Sequence, residues 1–345
     1  MNTVPLEKAV GRALCHDLTR IVPGEMKGAQ FKKGYIIKEE DLPMLRSMGK
    51  LNIYTMERKA GMVHEEEAAE ALAALCRGPL TLQSECKEGK IELFAQEDGF
   101  FDVDVEAVNK INALGNLAVV TRRPFTAVKK GWKLAAVKAI PLFAPEKLLS
   151  RAASIAKNGP LCSVLPFTVK NACVITTGSE TASGLVKDEF TPVLTSKLEA
   201  FGIKTIFSVK TGDSTESILK AVNDGRAALK EAAGGGLILC SGGMSVDPDD
   251  KTPAAIKKTG ARVVIYGVPV FPGAMFMLSY LDGGVPLAGI PACAMFCKTT
   301  VFDAALPALA AGKRLKRKDF TRMGAGGLCL NCPQCVFPAC SFASL

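Results

Sequence analysis

The sequence predicts an α/β protein in which a mixed α+β N-terminal region precedes a doubly wound, mostly parallel sheet and a cysteine-rich tail follows it. Three observations support this fold class. From residue 171 onward, short apolar runs alternate with amphipathic stretches, which is typical of parallel strands joined by helices. Upstream, short apolar runs are separated by polar or glycine turns, and four cysteines crowd the C-terminal end. We therefore expect three parts, at residues 1–168, 169–312 and 313–345.

Composition limits the classes of function. The chain has 345 residues, enough for more than one core, and its formal net charge of +9 suits anionic ligands. Aromatic residues make up only 6%, and no arginine-rich aromatic platform for nucleic acid is present. The apolar segments 267–281 and 285–296 are broken by proline and glycine and are too short to span a bilayer. Without a secretory pattern near residue 1, we expect a cytoplasmic protein with neither a membrane nor a nucleic-acid partner.

In the N-terminal region, the sequence pattern predicts helices first and strands later. Apolar spacing predicts a helix over residues 6–14, and a second helix over 39–48 ends at a glycine. A third, acidic and alanine-rich helix begins near His64, which we interpret as a surface histidine. Short runs between 88 and 145 predict strands, and residues 144–168 are expected to be a link.

The second half predicts strands and helices in alternation. The expected strands are 172–176, 204–209, 236–240, 262–270 and 285–290. The expected helices are 190–201, 214–232, 252–258 and 294–310. In wound sheets, ligands collect beyond the carboxyl ends of the strands, so the five loops that follow these strands should open on one edge.

The loop of residues 242–250 is the strongest candidate site. Gly242 and Gly243 allow positive φ and close approach of the backbone to a ligand, and successive N–H groups favour an anion. Three aspartates in the loop would repel a phosphate alone, so a divalent cation or a metal oxyanion between acids and phosphate fits. The alternative is a turn with capping aspartates. Thr252 is expected to cap the following helix.

Asp213 follows the second strand and leaves two interpretations open. With Glu216 it forms a capping-box-like pattern, in which the carboxylate only holds the start of a helix. At the end of a parallel strand it also stands where a ligand would bind.

Residues 170–311 resemble the molybdopterin-binding domain shared by MogA, MoeA and gephyrin. The resemblance is carried by motifs after successive strands: Thr177-Gly178-Ser179-Glu180 with Gly184 and Asp188, then Asp213, the Gly-Gly-x-Ser loop closing in Asp250, Pro272-Gly273 and Pro291. Residues 9–14 are similar to the opening of the MoeA branch, so the N-terminal region looks like a shortened MoeA.

This resemblance implies a transferase of molybdenum cofactor biosynthesis. Molybdopterin, or its adenylylated form, would bind at the loops, and a Mg²⁺-dependent step would insert molybdate and release the nucleotide. Asp250 and Asp213 would be the catalytic carboxylates. Cofactor binding would fall to Thr177, Gly178, Ser179, Glu180, Asp188, Gly242, Gly243, Ser245, Pro272, Gly273, Pro291 and Cys293. The family also implies a homodimer.

Three departures from the family pattern keep alternatives open. Asp247 stands where the family has glycine, Ala274-Met275 replaces lysine and proline, and Ala292-Cys293-Ala294 replaces Gly-Asn-Pro. The lost cation favours a non-catalytic carrier or scaffold for molybdoenzymes. A nucleotide pyrophosphatase or amidohydrolase like the CinA group, whose related domain has a similar loop, is a third hypothesis.

The tail suggests a metal site. Cys329, Cys332, Cys335 and Cys340 are spaced C-x2-C-x2-C-x4-C, and the first three match a bacterial ferredoxin run. The sequence leaves open an iron–sulfur cluster, zinc, or thiols used in sulfur or redox transfer. The basic segment 313–318 is expected to be a solvated linker.

Overall fold

The computed structural model describes residues 3–22, 26–54, 60–182, 185 and 188–344. Gly184 lies outside these residues. The chain forms two compact units. The first unit comprises residues 1–94, 104–122 and 133–163, and the second comprises residues 95–103, 123–132 and 164–345.

Up to residue 165 the chain is rich in short strands. They are β1 (Thr3–Pro5), β2 (Leu18–Val22), β3 (Met26–Phe31), β4 (Asn52–Tyr54), β5 (Met62–His64), β6 (Thr81–Gln83), β7 (Lys90–Ala95), β8 (Gly99–Val103), β9 (Leu117–Thr121), β10 (Thr126–Val128), β11 (Lys133–Ala139), β12 (Phe143–Pro145) and β13 (Cys162–Leu165). The helices are α1 (Leu42–Ser47), α2 (Glu65–Cys76), α3 (Val105–Asn112) and α4 (Glu146–Ile155), with 3₁₀ turns at Leu6–Lys8 and Glu39–Asp41.

Several predictions for this region are wrong. The helix over 6–14 is only one 3₁₀ turn, because Gly11 adopts a φ of +79° and turns the chain away. Residues 144–168 are not a link, since they contain α4 and β13. His64 is not a surface histidine: it is 7% exposed, and its ring accepts a hydrogen bond from the Glu66 backbone N–H at the start of α2. The predicted helices at 39–48 and after His64 are confirmed.

The second unit contains the wound sheet. Its remaining strands are β14 (Val169–Thr177), β15 (Lys204–Thr211), β16 (Gly235–Ser241), β17 (Arg262–Tyr266), β18 (Met277–Tyr280) and β19 (Pro286–Ile290). Its helices are α5 (Ser179–Ala182), α6 (Phe190–Glu199), α7 (Thr215–Glu231), α8 (Thr252–Lys258), α9 (Val301–Ala310) and α10 (Arg317–Thr321), with 3₁₀ turns at Ala292–Met295 and Arg322–Gly324.

The sheet order is β15-β14-β16-β19-β18-β17, and the pairs among the first four strands are parallel. β18 and β17 extend the sheet by antiparallel pairing. The predicted fold class is confirmed. β18 is not among the predicted strands. The single helix expected over 294–310 is wrong, because Thr300 and Asp303 form a capping box that starts a new helix, α9.

Alternate residues of β14 point to opposite faces of the sheet and enter two cores. Ala172 and Val174 belong to a core that includes side chains of α6 and α9. Cys173 and Ile175 belong to another core that includes side chains of α7 and α8. Helices therefore cover both faces, which is what a doubly wound sheet requires. In the part of the chain that the structure describes, no helix is long and apolar enough to cross a bilayer.

The basic segment 313–318 is not a solvated linker. Leu315 is 1% exposed, and its backbone N–H donates to the Tyr280 hydroxyl at 2.7 Å. The Arg314 guanidinium lies 4.8 Å from the centre of the Tyr280 ring, and Lys313 forms an ion pair with Asp102. These contacts fix the segment within the second unit, to which Tyr280 and Asp102 also belong.

Candidate functional site

Four loops meet at one end of the parallel strands. Thr177 of β14 pairs with Thr211 of β15, and Thr176 pairs with Ser241 of β16. Ser241 in turn pairs with Ile290, the last residue of β19. The loops that follow these four strands therefore begin side by side, and we call them the carboxyl edge: residues 178–179, 212–214, 242–250 and 291–293.

The glycine loop packs tightly against β14. Gly242 has a φ of +91° and Gly243 a φ of +53°. A Cβ atom on Gly242 would lie 2.3 Å from the Thr177 carbonyl oxygen, and one on Gly243 would lie 2.9 Å from Thr252 Oγ1. Neither position accepts a side chain, because each combines a left-handed backbone with a close neighbour.

Two buried threonines hold this loop. The Thr252 hydroxyl donates to the Gly242 carbonyl oxygen at 2.9 Å and lies 3.2 Å from the Thr177 hydroxyl. The expectation that Thr252 caps α8 is wrong: α8 starts at Thr252, its N-cap is Lys251, and the Thr252 hydroxyl is used by the loop. Thr177, expected to bind cofactor, is 4% exposed and contributes its hydroxyl to the same loop support.

The aspartates of the loop shape its turn. Asp250 Oδ2 accepts the Ser245 backbone N–H at 2.7 Å, which closes the loop. Asp247 Oδ1 accepts the Asp249 N–H at 3.0 Å, and the Asp247 carbonyl oxygen accepts the Asp250 N–H at 2.9 Å. The turn interpretation thus describes the local geometry. Asp250 is half-buried while Asp247 is exposed, so Asp250 is the carboxylate that lies closer to the sheet.

Asp213 links two loops of the carboxyl edge. Its Oδ2 accepts both the backbone N–H of Ser179 at 2.7 Å and the Ser179 hydroxyl at 2.8 Å. The interpretation that Asp213 caps its own helix is wrong, because Ser214 is the N-cap of α7 and accepts the Ser217 N–H at 3.1 Å. The Ser179 donors assigned to phosphate by the resemblance are thus already used by a carboxylate.

The remaining residues of the first loop are mainly structural. Gly178 has a φ of +141° and donates its N–H to the Thr211 carbonyl oxygen at 3.1 Å. Asp188 accepts the Phe190 and Thr191 N–H groups, both at 3.0 Å, and so satisfies the first donors of α6, whose N-cap is Glu189. The side chain of Glu180 lies outside the described residues.

The Pro272-Gly273 loop follows a strand that ends at the same edge of the sheet, because Tyr266 of β17 pairs with Met277 of β18, which pairs with Gly289 near the end of β19. It follows β17, which is separated from β19 by β18. A Cβ atom on Gly273 would lie 2.8 Å from Val301 Cγ1, and the Pro272 carbonyl oxygen accepts the Val301 N–H at 3.3 Å. The structure therefore packs this predicted cofactor-binding pair on the start of α9.

Pro291 and Cys293 follow β19 directly. Pro291 is the N-cap of a 3₁₀ turn, and Cys293 within that turn is half-buried. Burial, and secondarily the neighbouring Cys297, raises the pKa of the Cys293 thiol. The raised pKa favours the protonated form of the Cys293 thiol.

Sequence reasoning missed Tyr266. Its hydroxyl donates to the carbonyl oxygens of Met244 and Ser245, at 3.3 and 3.4 Å. These contacts support the glycine loop from the end of β17. Burial, together with the nearby Asp250 charge, raises the Tyr266 pKa and keeps this hydroxyl a donor. No local pattern marks the residue, because it lies on a different strand of the sheet.

The four tail cysteines line one cavity of about 250 Å³. Cys332 and Cys335 are exposed, whereas Cys329 and Cys340 are partly buried. Among the residues that the structure describes, no three His, Cys, Asp or Glu side chains are arranged closely enough to hold a metal ion. Cys297, from the segment after β19, lines the same cavity and was not predicted to belong there.

Comparison with protein families assigns two segments. Residues 173–311 match the family described as "Probable molybdopterin binding domain". Residues 3–57 match a "Domain of unknown function (DUF8806)". A "CinA-like protein" from Pseudothermotoga lettingae is 34% identical over 91 residues, 26% of this chain, and the match spans only 21% of that relative.

Solved structures align with about two fifths of the chain. A putative molybdenum cofactor biosynthesis protein from Corynebacterium diphtheriae aligns at 14% identity, covering 42% of this chain and 99% of that chain, with a TM-score of 0.32. CinA from Thermoplasma acidophilum aligns at 19% identity, over 40% and 96%, with a TM-score of 0.32. The tungsten cofactor synthesizing protein MoaB from Pyrococcus furiosus aligns at 13%, over 43% and 98%, with a TM-score of 0.34.

Proposed function

We propose, starting from the MoaB/Mog-type domain that residues 173–311 form, that this protein binds molybdopterin and acts in molybdenum cofactor biosynthesis. The observation that carries the proposal is the carboxyl edge itself. Gly242 and Gly243, both with positive φ, share their loop with Asp250 and the carboxyl edge with the loops that contribute Ser179 and Asp213. A glycine loop of this kind offers backbone N–H groups to a phosphate without a side chain in the way.

The carboxylates supply the second half of the proposal. Asp213 and Asp250 would hold Mg²⁺ and receive molybdate, the substrate that is inserted into the dithiolene of molybdopterin or its adenylylated form. Asp213 now accepts both Ser179 donors. A cation that attracts the Asp213 carboxylate would release the Ser179 N–H and hydroxyl for the phosphate, so cation and phosphate would favour each other.

A second candidate, a cofactor carrier without transferase activity, is favoured by one observation. The loop after β17 has Ala274 and Met275 where the resembling family has lysine and proline, so it brings no cation to an anionic ligand. The carrier hypothesis keeps the binding role of the carboxyl edge and removes the catalytic role of Asp250. It also implies a molybdoenzyme client.

Anaerobic binding and turnover assays test these proposals in sequence. We expect saturable binding of molybdopterin, and, for the transferase, Mg²⁺- and molybdate-dependent formation of cofactor that activates an apo molybdoenzyme. Molybdopterin binding without turnover would support the carrier hypothesis. Hydrolysis of ADP-ribose, with neither molybdopterin binding nor molybdate-dependent turnover, would indicate the CinA-like alternative. Absence of saturable binding, when a MogA control binds under the same conditions, would refute the proposal. Sedimentation of the same sample tests the proposed homodimer.

A further inference from the structure

The cysteine tail is anchored at both of its ends within the second unit. At one end, the Cys329 N–H donates to the Phe271 carbonyl oxygen at 2.8 Å, and the Phe271 N–H donates to the Gly327 carbonyl oxygen at 2.8 Å. At the other end, the Arg123 guanidinium donates to the Cys340 carbonyl oxygen at 2.6 Å, and Phe342 is buried in the core. Cys332 and Cys335 therefore lie on a short span between two fixed points.

Three closely spaced cysteines need a fourth ligand from elsewhere. Thiolate sites for zinc and for iron–sulfur clusters use four sulfurs, and in the ferredoxin run C-x2-C-x2-C-x3-C the last cysteine serves a different cluster. The remote thiol that the structure brings to the tail cavity is Cys297. Its neighbour Thr299 already contacts the tail, since the Thr299 hydroxyl lies 3.2 Å from Cys335 Sγ.

Cys297 is preferred as the fourth ligand because Thr299, two residues after it, contacts Cys335 Sγ. Cys340 lines the same cavity and, like Cys329, packs against the apolar core. The tail interval before Cys340 is one residue longer than in the ferredoxin run.

The charges around the cavity fit an anionic occupant. Arg123 binds the tail through carbonyl oxygens and lies 5.5 Å from the centre of the Phe337 ring. Arg123 does not line the cavity itself; it is half-buried, and its Nε has no hydrogen-bond partner among the described residues. Lys298 does line the cavity. A metal with four thiolates carries net negative charge, which the Lys298 ammonium would partly balance.

We propose that Cys297, Cys329, Cys332 and Cys335 are the four thiolate ligands of one thiophilic metal centre, zinc or an iron–sulfur cluster, which fastens the tail to the segment after β19. For zinc, four thiols each release one proton to solvent as four Zn–S bonds form, and the product carries a charge of 2−. Because no three of these thiols are close enough to hold a metal ion in the present structure, metal binding requires them to move together. The centre thereby connects the tail to the loop that contains Pro291, at the carboxyl edge.

Elemental analysis and visible absorption of the full chain, purified anaerobically, test the proposal. We expect about one zinc ion per chain, or iron and sulfide with cluster absorption. Where the chain is isolated without metal, we expect the same on reconstitution with Zn²⁺, or with ferric and ferrous iron and sulfide. Cys297→Ser and Cys335→Ser should each lower metal content at least about fivefold. Cys340→Ser and the control Cys86→Ser, in the first unit, should retain it.

Alkylation mapping of the unmodified protein avoids dependence on variants that fail to fold. In the metal-loaded chain, Cys297, Cys329, Cys332 and Cys335 should be protected from iodoacetamide, and chelation should expose all four together. Protection of Cys340 with free alkylation of Cys297 would overturn the proposed ligand set. Absence of metal after both reconstitutions would overturn the centre itself, whatever the outcome of molybdopterin binding.

Discussion

The carboxyl edge and the cysteine cavity lie in the same unit and differ in how their functional groups are held. At the edge, Asp213 and Asp250 are already bonded to Ser179 and Ser245. In the cavity, the backbone is anchored at residues 329 and 340, but the thiols form no metal-ready cluster among the described residues. One region is preorganised by its own hydrogen bonds, and the other needs a ligand to bring its groups together.

This difference assigns different consequences to substitutions. In a preorganised site, changes to the supporting backbone should abolish binding, while changes to single hydrogen bonds should weaken it in small steps. In a site that its ligand assembles, substitution of a ligating residue should change the stability of the metal-free protein little and should lower its metal content strongly. The following predictions test this contrast, beginning with the largest expected effect.

Gly242→Ala should abolish molybdopterin binding. The new Cβ would lie 2.3 Å from the Thr177 carbonyl oxygen at a φ of +91°, so the loop must leave its position. Gly260→Ala is the matched control, because Gly260 has a φ of +79° and no atom within 4 Å of the added Cβ. The control should lose about 1–2 kcal/mol of stability and keep binding. Thermal unfolding and fluorescence titration measure both; equal binding by the two variants would show that the loop is not the site.

Asp250→Asn should lower molybdate-dependent turnover about 10²–10³-fold with little change in binding. The amide oxygen of asparagine still accepts the Ser245 N–H, so the loop stays closed while the charge is lost. Asp247→Asn, an exposed position in the same loop, should retain turnover. If Asp250→Asn turns over as fast as Asp247→Asn, Asp250 is only a loop residue and has no part in the transfer.

Tyr266→Phe should weaken molybdopterin binding about twofold to tenfold, since two long hydrogen bonds under the loop are lost. Tyr280→Phe provides the comparison, because the Tyr280 hydroxyl accepts the Leu315 N–H away from the glycine loop. We expect that variant to unfold at a lower temperature with unchanged affinity. Equal loss of affinity in both would mean that general stability, rather than loop support, controls binding.

Thr299→Val should have the smallest effect, confined to the cavity. In the metal-free chain, the Thr299 hydrogen bond and the Phe337 backbone N–H lower the Cys335 pKa, so its reactive thiolate persists to lower pH than that of an ordinary thiol. Removing the hydroxyl should move the pH midpoint of Cys335 alkylation upward. Mass spectrometry of the alkylated tail peptide measures this midpoint. An unchanged Cys335 midpoint would remove Thr299 as a contact between the tail and the segment after β19.

Much of the wound sheet was predictable because the spacing of apolar residues along the chain indicates most of its strands and helices. The glycine loop and its position after β16 followed from residues 236–250 alone. The partners of Asp213 and Cys297 did not follow, because Ser179 lies 34 positions from Asp213 and the tail lies beyond α9. Such contacts depend on the order of the strands in the sheet and on where the chain runs after α9. The local pattern of apolar residues does not determine either.

The central claim is that the carboxyl edge binds the terminal phosphate of molybdopterin, and comparison of two ligands tests it most directly. Anaerobic fluorescence titration of the purified chain with molybdopterin and with its dephosphorylated form gives both affinities under one set of conditions. We predict one saturable site per chain and at least about tenfold weaker binding without the phosphate, the loss expected from one charge-assisted hydrogen bond. Equal affinities for the two ligands would contradict the account.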